Sequence, residues 1–157
     1  MIVRVLAVLA VLSIVAAGVT GWRWWHSDTA DLAKVRDAVL QDGQRYAIDL
    51  NTVDYRNPDF TRWRNAATGP LLDRLTRNQD ADKANATSTK TIATARVVTA
   101  AVTNLNTHTG TANMIAAMEV SLSLNGGSPT PTVSRLDMDL TKTPDGWKVS
   151  ALEAVGT

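Results

Sequence analysis

The chain contains no cysteine, which removes disulfide frameworks, thiolate metal sites and cysteine nucleophiles at once. Histidine is nearly as scarce. Only His26 and His108 occur, and neither a histidine pair nor a His–carboxylate spacing points to a metal site. No sign of charge dominates: 16 Lys and Arg face 15 Asp and Glu, for a formal net charge of +1. With no basic block either, the electrostatic footprint of a nucleic-acid-binding protein is missing. There is no nucleotide-binding glycine-rich loop, and Gly126-Gly127 reads as part of a hairpin. The serines lie in strand-like or loop-like stretches without a Gly-x-Ser-x-Gly elbow. Aromatic residues are few, yet three of the five tryptophans fall together at Trp22, Trp24 and Trp25.

What the chain does have is an apolar N-terminal run. Val5 to Val19 is interrupted only by Ser13 and Gly18. From Ile2 to Trp22 there are about twenty residues, which at ~1.5 Å per residue match a ~30 Å hydrocarbon core. Arg4 and the amino terminus are the charges before the run, so that end is expected in the cytoplasm. The run closes in Trp22-Arg23-Trp24-Trp25-His26, where indole rings suit the far interface. Residues 1–26 are therefore expected to be a cytoplasmic stub and transmembrane anchor, and 27–157 an extracytoplasmic domain. The rival reading is a cleaved secretory signal ending near Ala16-Ala17-Gly18. Both readings place the residues after His26 outside the cytoplasm.

The remainder divides into a helical half and a strand half, which predicts an α+β domain. Ser27 or Asp28 caps a helix whose apolar stripe is Leu32, Val35, Val39, Tyr46, Leu50 and Val53, with Gly43 tolerated inside it. Asn57-Pro58 reads as the cap and first residue of a short helix carrying Phe60 and Trp63. Thr68-Gly69-Pro70 opens a third helix with Leu71, Leu72 and Leu75. The polar stretch from Asn78 to Lys90 reads as a frayed end and loop.

Period-two alternation then takes over. Met114, Ala116, Met118, Val120, Leu122 and Leu124 share one face of a strand. Leu136, Met138 and Leu140 point inward on the next, with Arg135, Asp137 and Asp139 outward. Pro144-Asp145-Gly146 signals a hairpin leading to a last strand with Trp147, Val149 and Ala151 on one face. Thr91 to Asn106 alternates less regularly, which predicts a bulge or a two-sided strand. The expectation is about three helices packed on a curved antiparallel sheet of about four strands.

Leu50-Asn51-Thr52-Val53-Asp54-Tyr55, Ala67-Thr68-Gly69-Pro70-Leu71 and the closing Asp145-Gly146-Trp147-Lys148-Val149-Ser150-Ala151-Leu152 succeed one another in the order found in a known group. Helices first, then a curved sheet, resembles the cone-shaped fold of nuclear transport factor 2 and SnoaL-like proteins. Behind an anchor, the order resembles the Mce-associated membrane proteins of actinobacteria. That resemblance implies a non-enzymatic accessory protein of an Mce-type lipid transport assembly in the plasma membrane. Its implied partners are Mce or permease subunits, with lipid binding and homo-oligomerisation as further expectations. The alternatives are an anchored scaffold of a type IV secretion or conjugation machine, and a lipid-binding cone-fold module.

No catalytic, cofactor-binding or metal-binding residue is assigned. The candidates weighed for acid–base chemistry are Tyr46, Asp49, Asp54 and Tyr55, since an Asp buried beside a Tyr can act as a base. The bland alternative, which the sequence favours, is that Asp54 orders a turn and the tyrosines pack. The row Arg135, Asp137, Asp139 reads as a solvated sheet face. Met114, Met118, Val120, Leu122, Leu136, Met138, Leu140 and Trp147 read as a packed core in preference to an open lipid-sized pocket.

Overall fold

The computed structural model describes residues 31–155. The expected anchor, with its tryptophan cluster and His26, lies outside the described residues. Among those described, no helix is long and apolar enough to cross a membrane. The chain divides into two compact units, Met1–Asp37 and Ala38–Thr157. In the first, residues 31–37 are helical, and Lys34 Nζ lies 3.3 Å from Asp31 Oδ1. Leu32, expected on the buried stripe, is half exposed.

The second unit holds the α+β fold. Helix α1 covers residues 31–50, and its part in this unit buries Val39, Gly43, Tyr46 and Ala47. Those spacings of four, three and one keep a single face inward. The helix stops at Leu50, and Asn51 Nδ2 donates to the Ala47 carbonyl at 2.9 Å. Val53, expected on the helical stripe, therefore belongs to the two-residue strand β1 (Val53–Asp54) instead. Helix α2 (Phe60–Ala66) is capped by Asp59, whose side chain accepts from the Arg62 amide. The expected cap, Asn57-Pro58, lies just upstream, because Asp59 offers the carboxylate that the free amides need. Helix α3 (Gly69–Ser88) starts where Thr68-Gly69-Pro70 predicts.

Its far end differs from the expectation. The expected loop from Asn78 is helix through Ser88. Without an apolar stripe the segment has no periodic signal, yet alanine favours helix, and Ala86 is buried. Thr87 Oγ1 donates to the Lys83 carbonyl at 2.8 Å.

The sheet is a meander of five strands in the order β1-β2-β3-β4-β5, every neighbouring pair antiparallel. After β1 come β2 (Ile92–Asn106), β3 (Thr111–Ser123), β4 (Thr130–Thr143) and β5 (Gly146–Val155). The irregular alternation of β2 has a cause. Register shifts fall between Val97 and Thr99 and between Val102 and Asn104, so Val98 and Thr103 are the extra residues. The inward set becomes Ala93, Ala95, Val97, Ala100, Val102 and Leu105, all opposite even-numbered β3 residues.

A third shift, opposite Asp139 and Leu140, makes Ser150 the extra residue of β5. Trp147 and Val149 face inward as expected. Beyond the bulge it is Leu152, not Ala151, that sits across from Met138. Ser150 Oγ donates to the Asp139 carbonyl at 3.2 Å and fixes the bulge. The two-residue turn Pro144-Asp145 joins β4 to Gly146, whose φ of +112° is a conformation reserved for glycine.

The core lies between α1 and the inner sheet face. Its largest fully buried side chains are Met114, Met118, Met138, Leu140, Val39 and Val149. Each contributes about 1.5–3 kcal/mol through burial. Leu136 and Trp147 join them, whereas Leu122 and Leu124 are 39% and 47% exposed. The inward face expected for β3 therefore fades at its end.

Candidate functional site

The candidate acid–base residues separate into two places. Tyr46 and Asp49, one helical turn apart on α1, line a surface cleft of about 400 Å³ with Arg45, Asp59, Arg62 and Asn65. Asp54 and Tyr55 are not in its lining.

Within the cleft each charge has a counterpart. Arg45 Nη2 donates to Asp42 Oδ1 and to the Tyr46 hydroxyl, both at 2.9 Å. Its guanidinium also lies 4.6 Å from the centre of the Tyr46 ring. Arg62 lies 3.7 Å from Asp49 and 3.6 Å from Asp59. Arg62 thus stands between the carboxylates of α1 and the α2 cap. Tyr46 is buried, and the cleft mouth is lined by paired ions, of which Asp49 and Arg62 join α1 to α2.

Asp54 is held even more firmly. Arg56 donates to it through Nε and Nη2, each at 3.0 Å, and through its backbone amide at 3.0 Å. These bonds, the side-chain pair first, hold the Asp54 carboxyl below the usual aspartate range and push the Arg56 guanidinium up. Arg56 also lies over the Tyr55 ring at 5.8 Å. The motif orders a turn, as the bland alternative predicts.

Arg135, Asp137 and Asp139 occupy the outer sheet face and are exposed. Asn113 Nδ2 donates to Asp139. A shallow apolar cleft of about 320 Å³ opens on the same face, between Thr99, Ala101, Ile115, Ala117 and Arg135. His108 is an exposed residue in the turn between β2 and β3, where Asn106 Oδ1 accepts from its amide at 3.0 Å. Among the described residues no three His, Asp or Glu side chains are grouped to hold a metal ion.

A third cleft, of about 260 Å³, lies between α3 and the outer edge of β5. Pro70, Leu71, Arg74 and Arg77 form one wall, and residues 150–153 the other. No sequence pattern singled out its arginines. Their only signal was a pair three residues apart beside a leucine stripe, and exposed helices often carry that.

No family model matches the chain, and no curated protein does. Solved structures match in fold. The periplasmic domain of DotI superposes with a TM-score of 0.63 at 14% identity, over 76% of this chain and 94% of that one. An IcmL-like type IV secretion system protein from Legionella pneumophila gives 0.60 at 14% identity, over 76% and 91%. A putative aromatic ring hydroxylase from Novosphingobium aromaticivorans gives 0.55 at 16% identity, over 78% and 94%. At these identities the likeness establishes the fold, that of nuclear transport factor 2-like domains. It does not transfer an activity, since secretion proteins and a putative enzyme share it.

Proposed function

We propose that this protein is a non-enzymatic scaffold subunit, held at the outer side of the plasma membrane by its apolar N-terminal run. In this reading its domain works through protein contacts within an envelope-spanning assembly of the type IV secretion kind. The observation that carries the reading is the superposition on the DotI periplasmic domain across nearly the whole of that domain. The run from Val5 to Val19 supplies an attachment. Two features of the domain support the absence of catalysis. The inner face is filled by Met114, Met118 and Met138, and the carboxylates of the α1–α2 cleft are matched by arginines.

A second reading, an accessory protein of an Mce-type lipid transport assembly, rests on the ordered motifs Leu50–Tyr55, Ala67–Leu71 and Asp145–Leu152. It requires the same fold and anchor but other partners. Purification of the full chain from detergent extracts of its native cells, after mild cross-linking, separates the two. Secretion or conjugation subunits are expected, and Mce or permease subunits alone would transfer the conclusion to the second reading. Native mass spectrometry of the same sample is expected to show no retained lipid in the domain.

A further inference from the structure

The wall of the α3–β5 cleft carries Arg74 and Arg77, three residues apart on one helix. Among the described residues, neither makes an ion pair or side-chain hydrogen bond. Every other guanidinium lining a described cleft in α1 or α2 is matched: Arg45 by Asp42, and Arg62 by Asp49 and Asp59. The floor of the cleft is the last strand of the sheet, so among the described residues one side of β5 has no neighbouring strand. The loop before α3 covers that edge at a single point, where the Thr68 amide donates to the Val149 carbonyl at 2.8 Å. Among the described residues, no backbone bond from outside the β4–β5 ladder reaches residues 150–155. A free strand edge beside two unmatched cations has the parts for strand addition. The edge supplies main-chain hydrogen bonds, and the guanidinium pair selects side chains.

We propose that this cleft receives an extended segment of a partner protein in which acidic and basic residues alternate, which adds to the edge of β5 and sets a carboxylate between Arg74 and Arg77. The outer face adds a second requirement. Glu153 lies directly across from Asp137 on that face, and two like charges so placed repel each other. Side chains of an added strand alternate between faces. A segment with Glu toward α3 and Lys toward Glu153 satisfies both sides, so the recognised pattern alternates acid with base. This rests on the scaffold reading only in expecting a protein as the occupant.

The test uses the full chain in detergent micelles and labelled ten-residue peptides. The first is an unbroken Glu-Lys alternation flanked by one valine at each end, so that Glu and Lys fall on opposite faces; the second replaces Glu by Gln, and the third is all-acidic. The alternating peptide is expected to bind best, with roughly tenfold loss for the Gln version and a similar loss on Arg74→Ala/Arg77→Ala. Arg36→Ala, a change of an exposed arginine outside the cleft, is expected to leave affinity unchanged. Binding is also expected to slow hydrogen exchange of the 151–155 amides. Equal binding of the Glu and Gln peptides, or no effect of the double substitution, overturns the proposal. Binding only to vesicles containing phosphatidylglycerol, and to no peptide, overturns it in favour of a membrane surface. Because co-purification does not depend on these peptides, failure here leaves the scaffold reading to its own test.

Discussion

A methyl group on Gly43 would lie 2.6 Å from Met114 Sδ and 2.7 Å from its Cε, with Leu140 Cδ2 at 3.4 Å. Helix α1 thus reaches the sheet by omitting a side chain where a methionine from β3 rises to meet it. Gly43→Ala should gain about 1 kcal/mol of helix propensity and lose roughly 1–3 kcal/mol to overpacking, since Met114 is itself fully enclosed. Net destabilisation is expected in urea unfolding. The combination with Met114→Val should cost less than the two single losses together, by at least about 0.5 kcal/mol. Strict additivity would show that the contact does not limit packing.

The Ser150 bulge makes a separate prediction about register. Leu152→Ala is expected to cost about 1–3 kcal/mol, toward or below the low end for buried leucines because Leu152 is half-buried. Ala151→Ser is expected to stay within about 0.5 kcal/mol, as an outward position should. A reversed ranking in thermal unfolding would place the bulge elsewhere.

Asp59 supplies the cap of α2 through the Arg62 amide at 3.1 Å. Asp59→Ala should cost about 1 kcal/mol, and Asp59→Ser should recover most of it. Equal losses for both variants would mean that the ion pair with Arg62, rather than the cap, is what matters.

The pH dependence of Asp54 has a definite sign. Its folded carboxyl titrates below its ordinary value because Arg56 donates to the anion. The stabilisation is therefore complete above the ordinary aspartate range and disappears as pH falls through the lower folded value. In an NMR titration Asp54 should be among the last aspartates to protonate, and Arg56→Gln should return it to the ordinary range. No change in Arg56→Gln would remove the pair as the cause.

Asp49→Asn tests the absence of chemistry in the α1–α2 cleft. Its partner Arg62 lies 3.7 Å away and is about half exposed, so stability should change by less than about 1 kcal/mol. The set of co-purifying proteins should not change at all. Loss of partners in this variant alone would make the cleft a contact surface.

The legible parts of this fold were those written in short-range patterns. Alternation from Met114 to Met118 and from Leu136 to Leu140 gave the inner sheet face. Thr68-Gly69-Pro70 and Pro144-Asp145-Gly146 marked a helix start and a hairpin where the structure has them. The second half of α3 was invisible because it carries no apolar stripe, and its inner side is marked by the polar Gln79 and Asp82 as well as by Ala86. The cleft of Arg74 and Arg77 was unreadable because its other wall lies about seventy residues later in the chain.

By itself, then, the sequence determined the class of domain, the helices-then-strands order, the inward periodicity and the apolar N-terminal run. These are local properties, set by the backbone repeat and by side chains a few residues apart. Tertiary structure alone decided that Leu152 displaces Ala151, that Gly43 makes room for Met114, that Arg62 takes up Asp49, and that Arg74 and Arg77 are left beside an open strand edge. Each of those depends on which distant segments meet, and at what register, and the local pattern of a chain does not encode that directly.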